Sequence, residues 1–290
     1  MKLGIALSGG GIRGIAHAGV LQALEENGIK PDIIGGTSCG SLIAGLYSIG
    51  YSPYHILILA KRYAKTIVKA NAIPILSGIE SVVFKRKNIL SGFNTGEKLE
   101  EMGNYIAKRR DIINIKDIKM PIVIPTVDII SGKECVFTNY IPNDKNENKD
   151  YIDDITIGKA IRASSSFPAY FSPCRHKDYA FMDGGILNNV PVDEVKRQGA
   201  DFVISVKFHA DDVDENSNIM NVVMKSVDIM GCKISGENLR MSDFVIDVYT
   251  DKVGLVDYEK LDKCFKFGYE AGMKCVEKLI NCLENKERKS

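Results

Sequence analysis

The serine in Gly36-Thr37-Ser38-Cys39-Gly40 has the neighbours that a nucleophilic hydroxyl needs. A serine attacks a carbonyl when it is held out on a sharp strand-to-helix turn, and such a turn admits only small flanking residues. G-x-S-x-G is frequent by chance, but here apolar Ile33-Ile34 precedes it and the helix-patterned run 41–49 follows it. Upstream, Gly9-Gly10-Gly11-Ile12-Arg13-Gly14 satisfies G-x-G-x-x-G between a strand and a helix. Backbone N–H groups at such a loop favour any anion, so this motif alone fits a nucleotide pyrophosphate or a tetrahedral oxyanion equally. A dinucleotide fold wants an acidic ribose ligand at the end of its second strand, and the only candidate, Asp32, lies before that strand.

A serine hydroxyl also needs a base within reach. Asp183-Gly184-Gly185 follows the short apolar run Ala180-Phe181-Met182, and its two glycines allow a carboxylate to be presented at a strand end. By itself Asp-Gly is an ordinary turn dipeptide. Asp128 is a competing carboxylate, set in a hairpin pattern with no glycine to expose it, and reads as structural. The order Ser38, Asp183, His209 is that of an α/β-hydrolase triad. That fold, however, needs several strands before its elbow, and the residues preceding Ser38 hold two. His17, His55 and His176 lie in helical or polar surroundings that favour packing or surface roles.

The elements that must carry these residues read as strand, helix, strand, helix over the first fifty positions. Leu3 to Leu7 is an apolar run ending in glycines. Ile15, Ala18, Leu21 and Leu24 recur at helical spacing from Arg13 to Asn27, with Gly28 as the stop. This alternation predicts a parallel sheet with crossover helices. Residues 54–110 are mostly helical in pattern, broken at Pro74, Gly78 and Gly92. Ile122 to Ile130 and Glu134 to Thr138 form a hairpin through Ser131-Gly132-Lys133. The polar stretches 142–154 and 210–218 read as surface loops. Ala180 to Met182, Phe202 to Val206 and Phe244 to Tyr249 are strand candidates, and a charged helix closes the chain.

Taken together, the glycine loop, the elbow and the Asp-Gly-Gly turn resemble the patatin-like phospholipase family. Arg162-Ala163-Ser164-Ser165-Ser166-Phe167-Pro168, Asn189-Val190-Pro191 and the hairpin from Thr126-Val127-Asp128 to Phe137 resemble it as well. One departure is Ser8, where plant members carry an aspartate. The resemblance covers residues 3–207 and implies a catalytic domain there, with 208–290 as a mostly helical C-terminal extension. It implies a three-layer α/β/α fold with a mainly parallel central sheet, and a serine esterase acting on carboxylic esters of lipids. Ser38 would attack, Asp183 would serve as base without a histidine, and the N–H groups of Gly9, Gly10 and Gly11 would hold the oxyanion. An acyl-enzyme follows, with no metal and no cofactor. Arg13 would anchor the loop or favour an anionic head group. A non-enzymatic lipid-binding protein on the same fold is the rival reading, although both Ser38 and Asp183 are in place.

Composition narrows the partners. A formal charge of +1 gives no long-range attraction to nucleic acid. Seven cysteines without a C-x-x-C pair fit neither a disulfide framework nor a structural zinc site, and they read as reduced thiols. No run of apolar residues is long enough for a bilayer span, and the N-terminal run is too short for a secretory signal. The expectation is a cytoplasmic protein whose partner is a lipid ester. Residues 61–90 carry seven basic residues against Glu80, interleaved with apolar ones. They read either as core-covering helices with solvated faces or as an interfacial segment making transient membrane-surface contact.

Overall fold

The computed structural model describes residues 1–69, 95–144, 146–168, 170–209, 226, 229–231, 233–250, 253 and 257–288. Strand β1 (Leu3–Leu7) is buried throughout and runs parallel to β2 (Ile33–Gly36) on one side and to β8 (Phe202–Phe208) on the other. Beyond β2 lies β3 (Ile122–Asp128), also parallel. Antiparallel to β3 are β4 (Glu134–Thr138), through the expected hairpin, and β7 (Tyr179–Asp183), which also pairs with β6 (Cys174–His176). With β5 (Asp150–Ile152) and β9 (Phe244–Val248) at its ends, the main order is β5-β4-β3-β2-β1-β8-β9, so the sheet is mainly parallel at its centre.

Strand periodicity of two sorts the side chains between the faces. Leu3, Ile5, Leu7, Ile34, Ile122, Ile124, Ile204 and Val206 point into the larger core. That core is covered by α1 (Ile15–Glu26), α2 (Cys39–Ser48), α3 (Pro53–Lys69), α4 (Glu97–Lys108) and α5 (Ile157–Ser164). Ala6, Ile33, Val123 and Val203 point the other way, onto Val192 and Val195 of the short α6 (Val192–Arg197). Two helical layers thus sandwich the sheet, giving the three-layer α/β/α arrangement that the family resemblance implies.

Some elements depart from the sequence reading. The polar stretch 142–154 ends in β5 (Asp150–Ile152), a short edge strand parallel to β4. Its three residues are too few to show an alternating pattern among their polar neighbours. Within 54–110 the structure gives α3 and α4; Pro74, Gly78 and Gly92 lie outside the described residues, as does 210–218. Beyond residue 207 the chain adds α7 (Gly236–Arg240), then β9 (Phe244–Val248), which joins the sheet parallel to β8, then α8 (Leu261–Glu287). Helix α8 packs along α1 at glycine distance: a Cβ at Gly268 would stand 1.8 Å from Ala16 O, and one at Gly19 would stand 2.0 Å from Phe265 O. Among the described residues, no helix is long and apolar enough to cross a membrane.

Candidate active site

Ser38 sits between β2 and α2 with φ 54° and ψ −122°, a conformation that costs a non-glycine residue on the order of 1–3 kcal/mol. Hydrogen bonds from three directions hold it there. Thr37 N–H donates to Leu7 O (3.1 Å), and Thr37 Oγ1 donates to Asn188 O (2.8 Å). The Ser38 N–H donates to Ser164 Oγ (3.0 Å), whose own hydroxyl donates to Pro125 O (2.6 Å). The flanking glycines are required by space. A Cβ at Gly36 would lie 2.2 Å from Gly40 O, and one at Gly40 would lie 2.5 Å from Leu7 O.

Asp183 ends β7 opposite Thr126 and is almost fully buried. Its N–H donates to Ser166 O (3.0 Å), and its Oδ1 accepts from the Gly185 N–H (2.8 Å). The turn that follows is pressed against the elbow, since a Cβ at Gly184 would be 3.0 Å from Thr37 Cγ2. The glycine loop closes on the same point. A Cβ at Gly9 would be 3.3 Å from Ser38 Cβ and 2.6 Å from Asn189 Oδ1. Gly9, Gly10, Gly11, Ser38 and Asp183 all line one cavity. The Gly9 N–H is engaged by Asn189, through its Oδ1 (3.0 Å) and its backbone O (3.3 Å).

Buried side chains brace that loop from behind. Arg13 donates from Nε to Gly10 O (3.2 Å), with its guanidinium 5.6 Å from the Phe208 ring centre, which is an anchoring role. His17 Nε2 lies 2.8 Å from Ser8 O; a carbonyl can only accept, so this nitrogen carries the proton. Burial lowers the His17 pKa to about 4, against the opposing effect of the Ser8 bond. His209 is not among the cavity-lining residues: its ring is stacked 4.7 Å from Tyr249, and its backbone N–H donates to Val248 O (3.1 Å). Asp128 is spent on its own turn and on β7, accepting from Ser131 N–H, Ser131 Oγ and Ala180 N–H.

Away from Ser38 the cavity, about 210 Å³ in volume, is walled by apolar side chains: Leu42 and Leu46 of α2, Ile56 and Tyr63 of α3, and Leu99 and Ile106 of α4. On the opposite face of the sheet, Glu134, Asp193 and Glu194 bring carboxylate oxygens within 4.8 Å of one another. The Lys149 ammonium already lies between them, at 3.0, 2.6 and 2.9 Å respectively, where a cation would otherwise sit. Burial raises the pKa of Glu134 and of Glu194 against the pull of that lysine. Asn188 ties this cluster to the elbow, donating from Nδ2 to Glu134 (2.9 Å) and Asp193 (2.9 Å) while its carbonyl receives Thr37. Ser164, Asn188 and Lys149 were not assigned roles from the sequence. Ser164 and Asn188 stand in or beside quoted motifs, but Lys149 lies in a charged stretch that gives no sign of burial.

The Patatin-like phospholipase family model matches residues 5–196. The chain belongs to the patatin-like phospholipase family. It is 33% identical over 211 residues to lysophospholipase NTE1 of Debaryomyces hansenii, covering 71% of this chain and 12% of that protein. It is 31% identical over 218 residues to patatin-like phospholipase domain-containing protein 7 of Rattus norvegicus, covering 74% of this chain and 14% of that one. The chain thus spans about an eighth of the length of these curated relatives. Among solved structures it is similar to the heterodimeric ExoU–SpcU complex from the type III secretion system of Pseudomonas aeruginosa. The TM-score is 0.51 at 19% identity, covering 96% of this chain and 51% of that one, a likeness of fold.

Proposed function

We propose that this chain is a serine lipid acyl hydrolase working through Ser38 and Asp183. The observation that carries the reading is convergence: a serine held on a strained elbow, a glycine loop and a buried carboxylate meet at one end of an apolar cavity. In this reading Asp183 accepts the Ser38 proton as Oγ bonds to the ester carbonyl carbon. The N–H groups of Gly10 and Gly11 meet the developing oxyanion, while that of Gly9 stays on Asn189 and fixes the loop. Collapse of the tetrahedral intermediate expels the alcohol, which takes the proton from Asp183. The carboxylate then deprotonates the water that releases the fatty acid. No residue in this cycle needs a metal, and the Lys149 ammonium sits at the centre of the one three-carboxylate cluster found among the described residues.

The acyl chain is the part of a lipid that fits the apolar wall, and the relatives named as lysophospholipases support a lipid ester as substrate. The exposed face of α3 supports a lipid surface as its source: Tyr54, Ile58, Arg62 and Lys65 are all solvent-exposed. Lys61 is held by Asp262 at 2.7 Å, and Lys85, Arg86 and Lys87 lie outside the described residues. A reducing, cytoplasmic setting agrees with the six free thiols among the described residues.

The test is turnover. With lysophosphatidylcholine and with p-nitrophenyl butyrate, wild-type protein should release acid, and Ser38→Ala should lose at least about a thousandfold in kcat. Binding of lipid without turnover by the wild type would instead support the non-enzymatic reading.

A further inference from the structure

The cavity has direction as well as composition. Ser38 stands at the head of α2, and α2 lines the cavity down to Leu46, roughly 12 Å away at about 1.5 Å of rise per residue. Helix α4, which packs against α3 and α5, lines the cavity as well. Its residues Leu99, Met102 and Ile106 line the cavity one turn after another, at 7%, 7% and 1% exposed. Helix α3 runs back the other way, with Ile67 of its last turn half-buried and Ile56 of its first turn sealed. Exposure falls along this path. Tyr63, Phe167 and Phe171 are partly open, whereas Leu46, Ile56 and Ile106 are 3%, 0% and 1% exposed.

The deep end is backed by a second layer. Tyr51 donates its hydroxyl to Ile106 O (3.2 Å), and the Arg110 guanidinium covers the far side of the Tyr51 ring at 4.6 Å. Arg110 also donates to Gly50 O (3.3 Å). An acyl chain passing down the slot meets branched aliphatic side chains with an aromatic ring and a cation behind them.

We propose that Leu46, Ile56 and Ile106 form the blind end of the acyl slot and set the longest acyl chain that is cleaved efficiently. An extended chain advances roughly 1.2 Å per bond, so the depth from Ser38 accommodates about ten carbons. This inference rests on the hydrolase reading and narrows its substrate class to medium-chain acyl esters. Within the slot each added CH₂ gains burial, so specificity should climb about fourfold per carbon until the end is reached. Beyond it, a longer chain must leave its tail in water or fold back.

The experiment uses the full chain and a mixture of p-nitrophenyl esters from C2 to C16 in detergent mixed micelles, with released acids quantified by mass spectrometry. For the wild type, kcat/KM should rise to about C10 and fall at least about tenfold by C16. Leu46→Phe fills the end and should move the break about two carbons shorter. Ile106→Ala opens it toward Tyr51 and should move the break longer; should that variant fail to fold, Ile106→Val serves the same arm with a smaller shift. A flat profile through C16, or a break that stays in place in both Leu46→Phe and the Ile106 variant, overturns the ruler while leaving the hydrolase reading standing. Release of no acid at any length by the folded wild type overturns the hydrolase reading and the ruler with it.

Discussion

At the scale of single residues, the site is built from groups whose surroundings leave them one task. Ser38 carries the backbone strain, and Thr37, Ser164 and Asn188 hold it in place. His17, a titratable group close behind the glycine loop, serves as a brace. Its ring is sealed, its one hydrogen bond goes to Ser8 O, and burial keeps it neutral with a pKa of about 4. Unfolding returns it to the ordinary value of 6.5, so the unfolded chain binds a proton that the folded chain refuses. Its contribution to stability is therefore full above about pH 6.5, is lost as the pH falls, and levels off below about pH 4. Between pH 7 and 4.5 the wild type should lose about 2 to 3 kcal/mol of unfolding free energy beyond what His17→Phe loses over the same range. Urea titrations of both proteins at the two pH values measure this. Equal losses in the two would mean that His17 is not held neutral by the fold.

At the scale of elements, β1, β2, α1 and α2 follow from periodicity and glycine stops, and the hairpin of β3 and β4 follows from its Ser-Gly-Lys turn. These are local signals, and the sequence carries them intact. What it hides depends on contacts between distant segments. The strands β5 and β6 are three residues each and exist by pairing, the first with β4 and the second with β7. Lys149 reads as one more charge in a polar loop, yet it is buried because β4 and α6 bring three carboxylates to it. In the candidate site, the spacing of the small residues was legible as well. Close packing imposes small residues at Gly36 and Gly40, and strain at Ser38 leaves the G-x-S-x-G spacing as its trace. The use of the Gly9 N–H by Asn189 was not legible, because it joins positions 180 residues apart. Helix α3 offers a prediction at this level. Its exposed Tyr54, Ile58, Arg62 and Lys65 should make binding to vesicles rise with anionic lipid and fall with salt, each basic residue contributing on the order of 1 kcal/mol. Replacing Arg62 and Lys65 by Gln should weaken cosedimentation with phosphatidylglycerol vesicles at least about fivefold. Binding that ignores both lipid charge and the double replacement would make this face an ordinary solvated one.

At the scale of the whole molecule, the sheet is the device that assembles the site. Parallel β1 and β2 deliver the glycine loop and Ser38 to the same edge, and β3 brings antiparallel β7, with Asp183 at its end, alongside them. The thick helical layer then supplies the slot, and α8 locks that layer by packing against α1. Three segments far apart in sequence thus line one cavity only in the folded chain. The central claim is that Ser38 is the nucleophile and Asp183 its base. It is tested most directly by reaction with a fluorophosphonate and mapping of the adduct by peptide mass spectrometry. The wild type should carry one adduct, on Ser38. Asp183→Asn should label at least about a hundredfold more slowly, because an amide cannot accept the serine proton, and His209→Ala should label at a rate within about tenfold of wild type. An adduct on another residue, or His209→Ala as slow as Asp183→Asn, would contradict the account.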